Sequence, residues 1–141
     1  MSALDVSIQA QILNLMMDLQ DKYNLTYIFV THDLSVVKHI SDDIMVMYAG
    51  QIVEHGTAQQ MVFDPVHPYS HGLMRSILVP EEGTRDNKLT AIPGTPPNLK
   101  HPPLGCRFAE RCKYAQPQCR VNAMPMVEFE GNRTYRCGMT V

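Results

Sequence analysis

Four cysteines, spaced Cys106-x5-Cys112-x6-Cys119-x17-Cys137, hold much of the chemical capacity of this chain. Thiols in that pattern admit three chemistries. Disulfides suit an oxidising compartment and are rare in a reducing one. Zinc accepts four thiolates, but its sites usually present close Cys-x2-4-Cys pairs, and none occurs here. An iron–sulfur cluster also takes four thiolates and tolerates varied loops between them. Spacing alone sets the cluster only slightly ahead of zinc. A second candidate is His32, in Thr31-His32-Asp33 directly after an apolar, β-branched run. An imidazole at the C-terminal end of a parallel strand points into the crevice where open α/β sheets bind ligands. There it can hydrogen-bond a phosphate oxygen and orient an attacking water. A bland alternative is that the triplet merely caps the next helix, and Asp33 reads first as that cap. Asp5, three residues after Ser2, is the third candidate and also has a helix-capping role. His39, His55, His67, His71 and His101 share no metal-ligand spacing, and His39 and His55 read as solvent-facing.

What the sequence lacks bounds the chemistry. Phosphoryl transfer needs a Gly-rich loop ending in Gly-Lys-Ser/Thr and a carboxylate placed to hold magnesium. Neither is present, so these residues alone are expected to turn over no ATP. The net charge of -2 offers no basic field for nucleic acid or an anionic membrane surface. The opening residues have no basic, apolar pattern of a signal peptide, and no apolar run approaches the roughly 20 residues of a membrane span. The chain reads as soluble and intracellular, which leaves a membrane-protein partner open.

The elements that must position these residues follow from periodicity. Leu4, Ile8, Ile12, Leu15 and Leu19 recur at helical spacing, and Val6, Ala10, Leu13 and Met17 widen the stripe. That width predicts a helix packed on more than one side and ending at Asn24. Thr26 to Thr31 lacks polar alternation and predicts a strand buried on both faces. A short helix is expected from Leu34 to Ile40, then a hairpin of Ile44–Tyr48 and Gln51–Glu54 about Ala49-Gly50. Thr57 is placed to cap a helix through Phe63, and Pro68 to open another reaching Ile77. A helix, a buried strand and a hairpin in that order form the last third of an α/β domain, since parallel strands need crossover neighbours. The first strands are therefore expected upstream of Met1. Beyond Leu78 proline, cysteine and charge take over, which predicts a boundary near Pro80. The units are 1–79, a Pro-rich strap 80–104 and a four-cysteine extension 105–141 whose metal would staple a fold too small to hold alone.

Ser2-Ala3-Leu4-Asp5, Gln9-Ala10-Gln11-Ile12-Leu13, Phe29-Val30-Thr31-His32-Asp33 and Tyr48-Ala49-Gly50-Gln51-Ile52-Val53-Glu54-His55-Gly56 together resemble the C-terminal portion of ABC transporter ATP-binding subunits. Asp64-Pro65-Val66-His67-Pro68-Tyr69, Ile92-Pro93-Gly94-Thr95-Pro96-Pro97 and Pro102 to Phe108 narrow the likeness to the oligopeptide and dipeptide importers. The resemblance implies an α/β fold: the end of a P-loop ATPase domain followed by a small, cysteine-rich, mostly irregular extension. It implies that Ser2 to Asp5 is the D-loop, with Asp5 linking two ATP sites, and that His32 is the switch histidine at the terminal phosphate. The family's Gln loop, signature motif and Walker B run are not in this sequence. Cofactors implied for the intact parent are ATP and Mg. In some members four cysteines hold a [4Fe–4S] cluster, which carries over to Cys106, Cys112, Cys119 and Cys137, with zinc the lesser candidate. Implied partners are a second ATPase subunit across the D-loop, transmembrane permease subunits and, indirectly, a peptide-binding protein. The implied location is peripheral, on the cytoplasmic face of a prokaryotic membrane. The rival in another class is a stand-alone iron–sulfur or zinc module with a regulatory or interaction role. Arg107, Arg111, Lys113, Arg120 and Arg136 read either as solubilising charge or as cations offsetting a thiolate-ligated cluster.

Overall fold

Helix α1 forms over Ala3–Tyr23, where no glycine or proline interrupts the apolar repeat. Asn24 ends it in the left-handed region at φ 51, and the Leu25 amide donates to the Gln20 carbonyl at 3.1 Å. That 6→1 bond is the Schellman stop, for which asparagine is second only to glycine. A computed structural model describes residues 3–76 and 92–138. The expected boundary at Pro80, the first half of the strap, Ser2 and the helix end at Ile77 lie outside the described residues. What is described divides into two compact units, one through Ile40 and one from Ser41.

The first unit carries α1, the segment 25–33 and α2 (Leu34–Ile40). Thr26 to Thr31 is not a strand here, contrary to its pattern. Ile28 is 94% exposed and Val30 90% exposed. A two-faced parallel strand needs a hydrogen-bonded neighbour on at least one edge, and among the described residues no strand pairs with this one. The apolar face of α1 is likewise open, with Ile8, Ile12, Leu15 and Met17 exposed.

The second unit is built on the hairpin of β1 (Asp43–Tyr48) and β2 (Gln51–Thr57). Tyr48 pairs with Gln51, so the loop is the two residues Ala49 and Gly50, at φ 50 and 78. Two consecutive positive φ values make the type I′ turn that matches strand twist. A bulge follows: Val46 pairs with Glu54 but Met47 pairs with Ile52, leaving Val53 unopposed. Thr57 then caps α3 (Ala58–Phe63) with a reciprocal capping box, its hydroxyl accepting from the Gln60 amide while the Gln60 side chain accepts from the Thr57 amide. His67 caps α4 (Pro68–Arg75), with Pro68 in the first turn as expected.

The cysteine-bearing segment is not a free appendage. After a 3₁₀ turn (Ala109–Arg111) and α5 (Pro117–Val121), β3 (Val127–Phe129) and β4 (Arg133–Tyr135) extend the hairpin into one antiparallel sheet of order β1-β2-β4-β3. Glu54 pairs with Tyr135 and His55 with Thr134. Phe108 is buried among Tyr48, Tyr69 and His67, with ring centroids 5.3, 5.4 and 5.9 Å away. These tilted and edge-on contacts add to the burial of four large side chains. Ile92 lies against α4, where a side chain on Gly72 would come within 3.0 Å of it.

A buried ion pair ties β2 to β4. Glu54 is 0% exposed and accepts from the Val66 and His67 amides at 2.7 and 2.9 Å. Arg133, 2% exposed, donates to Glu54 at 3.2 Å and to both the carboxylate and the carbonyl of Asp64. Its guanidinium also lies 5.7 Å from the Phe129 ring centre. Together these groups fix the Asp64-Pro65-Val66-His67 corner against the sheet.

Candidate functional site

Each candidate residue is placed by a local element. At His32 the chain turns from the extended segment into α2. Asp33 donates its amide to the Thr31 hydroxyl at 3.0 Å, and its carboxylate accepts from the Ser35 amide at 3.0 Å. Asp33 is thus the cap of α2, which was its first reading. The ring of His32 between them is exposed. Asp5 lies in the first turns of α1, with its backbone alone described.

The four cysteines are separated by up to 31 positions in sequence yet line one small cavity, together with His67 and Phe108. Several devices assemble it. The Cys106 amide donates to the Cys119 carbonyl at 2.7 Å. Gly105 allows this approach, because a Cβ there would lie 2.2 Å from the same carbonyl. The 3₁₀ turn begins where the Ala109 amide donates to the Cys106 carbonyl at 3.0 Å, and it delivers Cys112 at its end. Pro117 opens α5, which buries Cys119. Cys137 follows directly after β4 and Arg136.

Burial pushes the Cys106 thiol above its ordinary pKa. The Phe108 backbone hydrogen bond opposes this, and the other three thiols reinforce it. Burial raises Cys112 likewise, opposed by a Tyr114 backbone hydrogen bond and reinforced by Cys137 and Cys119. Across the cavity each of these two thiols is thus made harder to ionise by the other cysteines. Nevertheless, among the described residues no three His, Cys, Asp or Glu side chains are grouped to hold a metal ion. The four thiols expected as ligands, Cys106, Cys112, Cys119 and Cys137, thus line one cavity without being grouped as a ready ligand set. Metal ligands must be deprotonated, and a site of this kind is completed as the metal binds.

Sequence reasoning missed a buried histidine in the lining of this cavity. His67 is 1% exposed, accepts from the Tyr69 amide on Nδ1 at 3.1 Å and carries a backbone hydrogen bond with Arg136. Burial lowers its pKa to about 4, so the ring is neutral near pH 7. A histidine immediately before the proline of a helix start was the available signal. The arginines were misread too. Arg107 donates to the Ala49 carbonyl, Arg111 to the Ile92 and Pro93 carbonyls, and Arg136 to the Ile52 and Met124 carbonyls. These three are structural clamps before they are surface charge; Arg120, paired with Glu110, and Lys113 are exposed.

Among the described residues no helix is long and apolar enough to cross a membrane. Residues 53–119 match the family described as the oligopeptide/dipeptide transporter, C-terminal region. The chain is 45% identical over 139 residues to the oligopeptide transport ATP-binding protein OppD of Haemophilus influenzae, covering 99% of this chain and 42% of that protein. It is 55% identical over 114 residues to OppD of Bacillus subtilis, covering 81% of this chain and 32% of the relative. With the dipeptide transport ATP-binding protein DppF of Haemophilus influenzae it shares 45% over 138 residues, covering 96% and 41%. The matched region therefore spans 32–42% of the length of these relatives. The match over residues 53–119 takes in most of β2, the Asp64-to-Tyr69 corner and three of the four cysteines, and the relatives align over most of the chain; the chain belongs with the C-terminal region of the oligopeptide and dipeptide transporter ATP-binding family.

Proposed function

We propose that this chain is the C-terminal part of an ATP-hydrolysing subunit that energises peptide import. The observation that carries this is the 43–46% identity to oligopeptide and dipeptide transport ATP-binding proteins over at least 96% of the chain, in seven of the relatives. ATP and Mg would be held by the Gly-rich loop and carboxylates of the intact subunit, because no such loop is in this sequence. The residues present would act on that nucleotide from one side. His32, exposed on a capped turn, would donate to or accept from the terminal phosphate and orient the attacking water. Asp5 would contact a second ATPase subunit and so connect the two ATP sites. Transmembrane permease subunits, served by a peptide-binding protein, would hold the pair at the cytoplasmic face. Alone, the chain would turn over no ATP. Assembling the intact subunit with its permease in vesicles, and measuring hydrolysis with and without peptide-loaded binding protein, tests the proposal. Peptide-stimulated hydrolysis is expected; hydrolysis indifferent to every peptide length would contradict it.

The cysteine segment would bind a [4Fe–4S] cluster through Cys106, Cys112, Cys119 and Cys137. The support is that all four line one cavity. Zinc would need its thiolates about 2.3 Å from a single ion and usually takes them from close pairs, whereas a cluster would accept four thiolates from well-separated segments of chain. The cluster would supply a structural crosslink among four chain segments. Pairing of β4 with β2 favours a segment integral to the ATPase subunit over a stand-alone metal module. Iron and acid-labile sulfide in equal amounts, with visible absorption, are expected from protein purified without oxygen. Colourless protein with stoichiometric zinc would overturn the cluster.

A further inference from the structure

Every cysteine of the cavity has an arginine beside it in sequence: Cys106-Arg107, Arg111-Cys112, Cys119-Arg120 and Arg136-Cys137. Three of the four reach back to the β1–β2 hairpin, across 58, 63 and 84 positions of chain. Arg107 donates to the Ala49 carbonyl in the turn, and the bare Cα of Gly50 gives its guanidinium room, since a Cβ there would lie 3.2 Å from it. Arg111 spends its whole fork: to Tyr48 Oη at 3.3 Å, to the Ile92 carbonyl at 2.9 Å and to the Pro93 carbonyl at 2.8 Å. Arg136 donates its amide to the Val53 carbonyl at 2.8 Å, the carbonyl left free by the bulge. Its side chain bonds the Ile52 and Met124 carbonyls at 3.2 and 2.8 Å. Arg120 is the exception, an exposed pair with Glu110.

We propose that Arg107, Arg111 and Arg136 are positioning residues of the thiol cavity that anchor Cys106, Cys112 and Cys137 to the hairpin and couple the chemical state of the thiols to the β1–β2 turn. The cavity is assembled on the hairpin rather than beside it. A group that draws the thiols together pulls on the residues next to them, and those residues hold the turn. Coupling of this kind is reciprocal: what loosens the turn weakens the site, and what empties or crowds the site loosens the turn. The residues differ in tolerance. Arg107 makes one hydrogen bond to one carbonyl, which a lysine can replace; Arg111 uses three donors in a planar fork, which a lysine cannot.

The inference rests on the thiols binding a metal group, and the test separates the two. Hydrogen exchange of the peptide spanning residues 46–53 is followed in the full chain in three states: reconstituted anaerobically with iron and sulfide, metal-free, and alkylated with N-ethylmaleimide. The peptide spanning 58–63, in α3, reports the integrity of the fold. The loaded protein is expected to exchange about tenfold more slowly at the turn than the alkylated protein, the size of one lost hydrogen bond to a charged group. R107A and R111A are expected to abolish that difference and lower iron per chain; R107K restores it, R111K does not, and R120A behaves as the parent. Turn exchange that is equal in loaded and alkylated protein, or a difference that survives R107A and R111A, overturns the coupling. A chain that takes up no iron but whose turn loosens on alkylation supports the coupling and overturns the cluster.

Discussion

Glu54→Gln removes one charge from the centre of the second unit while keeping the shape of the side chain. Glu54 is fully buried, and its two oxygens accept three N–H groups: Val66 and Arg133 on Oε1, His67 on Oε2. Glutamine offers one acceptor oxygen and an NH2 that can only donate. Either the His67 amide, or the Val66 amide with Arg133, must then face a donor. Arg133, 2% exposed, would also lose its buried counter-charge and keep only Asp64. Breaking a buried pair by removing one partner costs about 3–5 kcal/mol. The retained Asp64 contacts place the expected loss at the lower end, about 3 kcal/mol. Urea unfolding followed by far-ultraviolet circular dichroism measures it as a fall in midpoint at constant slope. Pairing it with Arg133→Met tests the cause, because the double variant leaves neither charge stranded and should lose less than the sum of the singles. A Glu54→Gln loss below about 0.5 kcal/mol, typical of surface substitutions, or a strictly additive double variant, would refute the idea that this pair pins β2 to β4.

Three further outcomes follow from single residues. His67 carries a pKa of about 4 in the fold against 6.5 unfolded, so the unfolded chain binds the extra proton between those values. Stability should therefore be full above pH 6.5 and fall by about 3 kcal/mol as pH drops to 4, and His67→Asn should flatten that part of the pH profile. Ala49 occupies a left-handed position at φ 50 that costs an alanine about 1 kcal/mol or more. Ala49→Asn, suited to a type I′ turn, should raise stability by about 0.5–1 kcal/mol in the same urea titration. Gly105→Ala puts a methyl 2.2 Å from the Cys119 carbonyl, which no rotamer can relieve. It should break the Cys106–Cys119 bond and abolish metal uptake, read as iron per chain.

The second unit was largely legible in the sequence because its signals are local. The Ala49-Gly50 turn, the Thr57 cap with Gln60 three residues on, and Pro68 at a helix start each act within a few residues. The stop at Asn24 and the cap at Asp33 were legible for the same reason. What was not legible depends on pairing at a distance. The run Thr26 to Thr31 has the composition of a buried strand, but composition does not supply the neighbour that makes one. β3 and β4 are three residues each, too short for periodicity to register, and only the register with β2 gives them their place. Glu54 and Arg133 are 79 residues apart and each reads alone as surface charge. The arginines beside the cysteines were assigned to electrostatics because their acceptors are backbone carbonyls, which a sequence does not advertise. Of the site, Cys106, Cys112, Cys119 and Cys137 were found as a set, and one cavity gathers them. Their spacing could not say how closely they converge.

His32 is the residue through which the proposed function is tested most directly. In the intact subunit assembled with its permease, ATP turnover of the parent and of His32→Ala is measured at saturating nucleotide. On the proposed role of His32 in orienting the attacking water, the variant should lower the turnover number by about 100-fold or more, with little change in nucleotide affinity. Unchanged turnover in His32→Ala would contradict the proposed role of this chain at the terminal phosphate.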